Sequence, residues 1–206
     1  MLSETISSTL TVIKTFTAFD GPRRFASGTL TDVALAVRGM ERKGAGPVAI
    51  FSDATGRTID LDLRGSEEEA LARLPKTAPE GQMKDDSSPA EPRGRGRPKL
   101  GVVAREVTLL PRHWDWLNAQ PGGASVALRK LVEQARRVNG DADRARASRE
   151  AAYHFMSAMA GNLPHFEEAT RALFADDRRR MAGLIAMWPA DICDHIVKLA
   201  FADRAD

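Results

Sequence analysis

A chain of 206 residues, 43% hydrophobic and 28% charged, carries enough apolar material for a core, which excludes a wholly disordered class. Its 16 Gly, 11 Pro and single cysteine exclude collagen-like and disulfide-built classes, and the lone thiol of Cys193 makes a reducing, cytoplasmic setting the default. The net charge of +2 hides a central basic block, with 13 Lys/Arg against 5 Asp/Glu over residues 93–149 and a mildly acidic remainder.

Residues 1–11 read as a loose polar leader, without the basic head and apolar block of a secretory signal. No run approaches the roughly 18 apolar residues of a membrane span, so no membrane partner is expected. From Val12 the pattern turns strand-like. Lys14-Thr15-Phe16-Thr17-Ala18-Phe19 and Arg23-Arg24-Phe25-Ala26-Ser27 flank Asp20-Gly21-Pro22, a hairpin signal. A helix is predicted from about Thr31, with Val33, Leu35, Ala36, Val37 and Met40 apolar, and Gly44-Ala45-Gly46-Pro47 stops it. Val48-Ala49-Ile50-Phe51 is a short apolar strand and Asp53-Ala54-Thr55-Gly56 a turn. Thr58 to Leu63 alternates, with Ile59, Leu61 and Leu63 on one face, and predicts a fourth strand. Ser66 with Glu69 fits a capping box for a helix that Pro75 ends. Residues 12–75 thus read as a small ββαββα domain.

Residues 76–101 read as a flexible basic linker, rich in Pro and Gly and nearly empty of apolar side chains. Residues 102–138 read strand, helix, turn, helix. Val102 to Leu110 is β-prone, and Pro111 opens a helix carrying Trp114, Trp116 and Leu117. Pro121-Gly122-Gly123 breaks it, and Ser125 caps a second helix with Leu128, Leu131, Val132 and Ala135 on one face. Residues 141–206 read as a helical region. Phe166, Ala169, Thr170 and Leu173 keep helical spacing, as do Met181, Leu184, Ile185 and Trp188; Ile192, Ile196 and Leu199 mark a last helix. The fold class expected is α+β.

Pro92-Arg93-Gly94-Arg95-Gly96-Arg97-Pro98-Lys99 resembles the AT-hook, a minor-groove motif centred on Arg-Gly-Arg-Pro. Glycine keeps the backbone slim and proline holds it extended. Flanking arginines can then enter a narrow groove, where the negative potential is enhanced. The resemblance implies that Arg93, Arg95, Gly96, Arg97, Pro98 and Lys99 form a double-stranded DNA contact. The alternative is a solvated hinge between folded parts. The run is not a phosphate loop, since no Gly-Lys-Ser/Thr follows.

Arg105 to Arg137 resembles a ribbon-helix-helix module, in which paired strands from two chains form a ribbon and the second helix N-terminus approaches phosphate. The match rests on Val107-Thr108-Leu109-Leu110-Pro111, a first helix, Gly123-Ala124-Ser125 and a second amphipathic helix. The resemblance implies a homodimer, with Ser125 at phosphate and Arg105 on the ribbon. In either register the strand offers Arg105, Val107 and Leu109, or Glu106, Thr108 and Leu110, and neither set is suited to reading base edges. Pairing into a dimer is therefore the stronger implication, and the alternative is a helical hairpin with a strand added to another sheet.

No catalytic constellation stands out, so an enzyme is not expected, nor is a cofactor or a metal site. His165-Phe166-Glu167 lacks the following Pro-Cys-x-x-Cys of zinc deaminases. Cys193 and His195, two apart on a helix, read as a small buried residue and a satisfied histidine. Asp60 and Asp62 read as a solvated strand face, Trp114 with Leu117 as core, and Met156, Met159 and Met181 as gap-filling core.

Over nearly its full length the chain resembles an uncharacterised bacterial domain-of-unknown-function family (family 2239). The residues that carry this include Phe16-Thr17-Ala18-Phe19-Asp20-Gly21, Ile59-Asp60-Leu61-Asp62-Leu63-Arg64-Gly65, Gly94 through Trp114, Gly122-Gly123-Ala124-Ser125 and Phe155-Met156-Ser157-Ala158-Met159-Ala160-Gly161. That resemblance brings no activity, cofactor or catalytic residue. The leading expectation is a small cytoplasmic DNA-binding protein acting as a homodimer. The alternative is a protein-interaction adaptor with the arginine segment as a hinge.

Overall fold

The computed structural model of the chain describes residues 14–41, 48–75 and 105–201. They form a mixed α+β protein, mostly helical, with one three-stranded antiparallel sheet and seven helices among the described residues. Contacts divide the chain into two units. One joins residues 1–77 to residues 141–206, and the other holds residues 78–140. Among the described residues no helix is long and apolar enough to cross a membrane.

In the first unit β1 (Phe16–Asp20) and β2 (Arg23–Gly28) form the expected hairpin, and β3 (Val48–Ser52) pairs with the other edge of β1. The order is β2-β1-β3. Gly21 takes a φ of 52° in the tight turn, a conformation that glycine adopts without penalty. Because strand side chains alternate, β1 is buried on both faces. Phe16, Ala18 and Ile50 pack with Leu30, Val33 and Val37 of α1 (Leu30–Glu41). Phe19 and Phe51 look the other way. They join Phe155 and Met156 of α4 (Gly123–Ala160) and Ile192 and Ile196 of α7 (Ala190–Phe201). Met156 and Met181 are fully buried in that cluster and Met159 partly so, as read from the sequence.

α2 (Glu67–Arg73) starts with the capping box seen in the sequence. Ser66 Oγ accepts from the Glu69 amide at 3.2 Å, and Glu69 Oε2 accepts from the Ser66 amide at 2.9 Å. The fourth strand does not form. After a single bridge between Phe51 and Thr58, residues 59–65 run without a ladder, so the observed order is ββαβα. Arginines replace the missing neighbour strand. The buried Arg38 guanidinium donates to the carbonyls of Leu63 and Gly65, and Arg73 donates to those of Asp62 and Arg64. These donors take the place of a ladder for the carbonyls of residues 62–65. Its alternation survives: Leu63 is buried, Ile59 and Leu61 are half-buried, and Asp60 and Asp62 face solvent.

α5 (Phe166–Phe174) and α6 (Arg178–Ile185) complete this unit with α7. Trp188 anchors the approach to α7 by donating its indole N–H to the Pro164 carbonyl at 2.9 Å.

In the second unit α3 (Pro111–Asn118) begins at Pro111 as expected. Residues 105–110 form no strand, contrary to the ribbon expectation, and residues 102–104 lie outside the described residues. A ribbon strand needs a partner strand, and none pairs with this segment among the described residues. α4 begins at Gly123, so Ser125 sits inside its first turn instead of capping it. The break comes from Gly122 and Gly123, with φ of 87° and 74°. α4 then runs unbroken for 38 residues, through Asn139-Gly140-Asp141. Pairs one turn apart flank that weak point: Arg136 with Glu133, Arg144 with Asp141, and Arg146 with Asp143.

Candidate functional site

The residues predicted to bind DNA fall in two groups. Arg93, Arg95, Gly96, Arg97, Pro98 and Lys99 lie outside the described residues. Arg105 is exposed just ahead of α3, and Ser125 is exposed in the first turn of α4. The Ser125 carbonyl accepts from Arg129 Nε at 3.1 Å, which brings an exposed guanidinium back over that turn.

At about 100° per residue, Ser125, Arg129 and Arg136 fall within about 40° of one another. Leu128, Leu131, Val132, Ala135 and Val138 occupy an adjoining arc of about 120°, with Val132 about 20° from Ser125. That apolar arc is not covered. Leu131, Val132 and Val138 are 43%, 57% and 75% exposed. Val107, Leu110 and Trp116 of the same unit are also exposed, whereas only Leu117 and Ala127 are buried among its described residues. Of the pair expected as core in α3, Leu117 is buried and Trp114 only half-buried. Of the nine exposed large hydrophobic residues among those described, six lie in residues 105–140.

The first unit holds a polar cluster that the sequence reading missed. Asp53, in the turn after β3, is almost buried, with 8% of its side chain exposed. Its Oδ2 accepts from Thr15 Oγ1 and Lys198 Nζ, both at 2.8 Å, and its Oδ1 accepts from Thr17 Oγ1 at 2.8 Å. The Asp53 amide donates to the Thr15 carbonyl at 3.0 Å. Burial works against the Asp53 charge, but the bonds from Lys198, Thr15 and Thr17 outweigh it and hold the carboxyl below its ordinary range. His195 lies beside this carboxylate, fully buried, with Nε2 3.6 Å from Oδ1. Neither ring nitrogen has a hydrogen-bond partner, so the expected satisfied histidine is instead an unsatisfied one. Burial is the main force pushing His195 down to about 4; Asp53 opposes it, while Lys198 and Arg24 reinforce it. A neutral imidazole follows at pH 7.

Cys193 points away from this cluster. Its thiol donates to the Ile185 carbonyl at 3.1 Å, and burial, with Asp194 next, pushes it above its usual value. A raised thiol is a poor nucleophile. Asp62 faces Arg64 and Arg73, and hydrogen bonds from Arg64 lead in holding its carboxyl low. Among the described residues no three His, Cys, Asp or Glu side chains gather as a metal site would require.

One signal could have pointed to the polar cluster: His195 and Lys198 are three apart, on one helix face. Nothing local joins them to Asp53, 145 residues earlier than Lys198.

A family model described as an uncharacterized protein conserved in bacteria (DUF2239) matches residues 15–200. No curated protein and no solved structure matches the chain.

Proposed function

The chain belongs to that bacterial family (DUF2239), and from its own residues we propose that it is a homodimeric DNA-binding protein. One observation carries the reading: the first half of α4 sets an exposed basic strip beside an exposed apolar arc. The apolar arc, with Val107, Leu110 and Trp116, is the face a second copy covers, because the described residues of this unit bury only Leu117 and Ala127 and supply no core of their own. Ser125, Arg129 and Arg136 then lie toward phosphate, and Arg93, Arg95, Arg97 and Lys99 form an arm in the minor groove. The excess of Lys/Arg over residues 93–149 supports this, since each neutralised phosphate releases counterions. Sequence preference is weak in this reading, because neither register of residues 105–110 offers a base reader.

The test is fluorescence anisotropy of the full chain on duplex DNA between 50 and 200 mM salt. Binding weakens steeply with salt. The combined Arg95→Ala, Arg97→Ala and Lys99→Ala variant binds more weakly, with a log–log slope shallower by about 3. Absence of binding at 50 mM salt, or a slope unchanged in the variant, overturns the reading.

A further inference from the structure

His195 occupies a slot that an apolar side chain would fill without leaving polar atoms unmet. Phe19 and Phe155 approach it edge-on, with ring centroids at 5.4 and 4.5 Å. Both ring nitrogens are buried and unpartnered, which is costly in a packed interior. Asp53 Oδ1, 3.6 Å from Nε2, is too far for a hydrogen bond and accepts from Thr17.

We propose that His195 and Asp53 form an acid-operated latch between α7 and the sheet, in which the neutral imidazole lets α7 lie on Phe19 and Phe155 and a proton on the ring lifts α7 away. The charged groups facing the ring are Asp53 from the turn after β3, Lys198 from α7 and Arg24 from β2, whereas α4 presents the uncharged Phe155. A proton on His195 needs a counter-ion. Asp53 is the carboxylate beside it, but at 3.6 Å it lies out of hydrogen-bond reach, and its charge is already shared among Lys198, Thr15 and Thr17. Detachment instead returns the imidazolium to water, where burial no longer opposes its charge.

Proton uptake and release of α7 are therefore linked. The folded ring titrates at about 4 and the free ring near its ordinary 6.5, so between these values the released state holds more protons. The closed state is at full strength above pH 6.5. It weakens as pH falls toward 4, and below 4 the effect adds nothing further. The device keeps the latch shut at neutral pH and loosens it under acid stress.

The experiment follows the histidine ring resonances and the melting temperature of the full chain from pH 8 to 4. His195 is identified by loss of its signal in His195→Phe. The expected result is a ring that titrates below pH 5, with a melting temperature that falls between pH 6.5 and 4.5. In His195→Phe that part of the fall disappears. Lys198→Met, altering a side chain 44% exposed, removes a cation that faces the ring, so the ring's own titration moves to higher pH and the acid-dependent fall in melting temperature shrinks. This keeps the test decisive even if the histidine variant fails to fold. A ring titrating at 6.5 or above with α7 amides still protected overturns the latch. So does a Lys198→Met protein that loses the same stability at every pH.

Discussion

Gly56 shows how one position can hold two elements together. Its φ is 63°, and a Cβ placed on it would lie 1.8 Å from the Ala151 carbonyl oxygen of α4. The turn after β3 therefore touches the backbone of α4 directly, which only glycine permits. Gly56→Ala is expected to cost about 2–5 kcal/mol, combining left-handed backbone with overpacking. Gly21 has a φ of 52° but open space around its Cβ position, so Gly21→Ala carries only the backbone share, about 1 kcal/mol. Urea unfolding of the two variants checks the difference. Equal losses would mean that Ala151 moves aside at little cost. In the sequence, Asp53-Ala54-Thr55-Gly56 was legible as a turn and no more. Its pairing with His195, Lys198 and Ala151 spans about a hundred residues or more, and local pattern carries no trace of such distances. Arg57, which donates to His154 Nε2 at 3.0 Å, is a contact of the same long-range kind.

At the scale of elements, the hairpin, α1, β3 and the capped α2 were readable, because their periodicity and end signals agree. Thr58–Leu63 misled for a physical reason. Alternation reports only which side chains face inward, and an extended segment without a ladder alternates equally well. What decides is where the carbonyls find donors, and here Arg38 and Arg73 provide them. Arg38→Met keeps the buried stem and removes the donors. A loss of about 2–3 kcal/mol is expected, read as a lower urea midpoint at unchanged slope. An unchanged midpoint would show that the carbonyls of Leu63 and Gly65 find other donors. Val102–Leu110 is a different case. Its β-prone composition is real, but residues 105–110 find no strand to pair with among the described residues.

For the molecule as a whole, the charge distribution was legible from composition, and so was the amphipathic character of α4. The shared core of the chain's two ends was not. Phe19 and Phe51 come from the N-terminal strands, Phe155 from the end of α4 and Ile196 from α7, yet they form one cluster. Reading along the chain separates these segments, because hydrophobic periodicity marks a buried face without saying what covers it. That same ambiguity is the basis of the functional proposal. The exposed arc of Leu131, Val132 and Val138 is ordinary helical amphipathicity that has no cover among the described residues. Leu131→Glu with Val138→Glu places charge on that face and is expected to weaken self-association while leaving the helical signal of the first unit in place. Dimerisation unaltered by both charges would remove the arc from the interface.

Sedimentation velocity of the full chain, alone and with a short duplex at 50 mM salt, tests the reading of α4 as a basic strip beside an apolar arc most directly. The expected result is a dimer without DNA and a single complex of two chains on one duplex with it. A monomer that sediments independently of the duplex would contradict it.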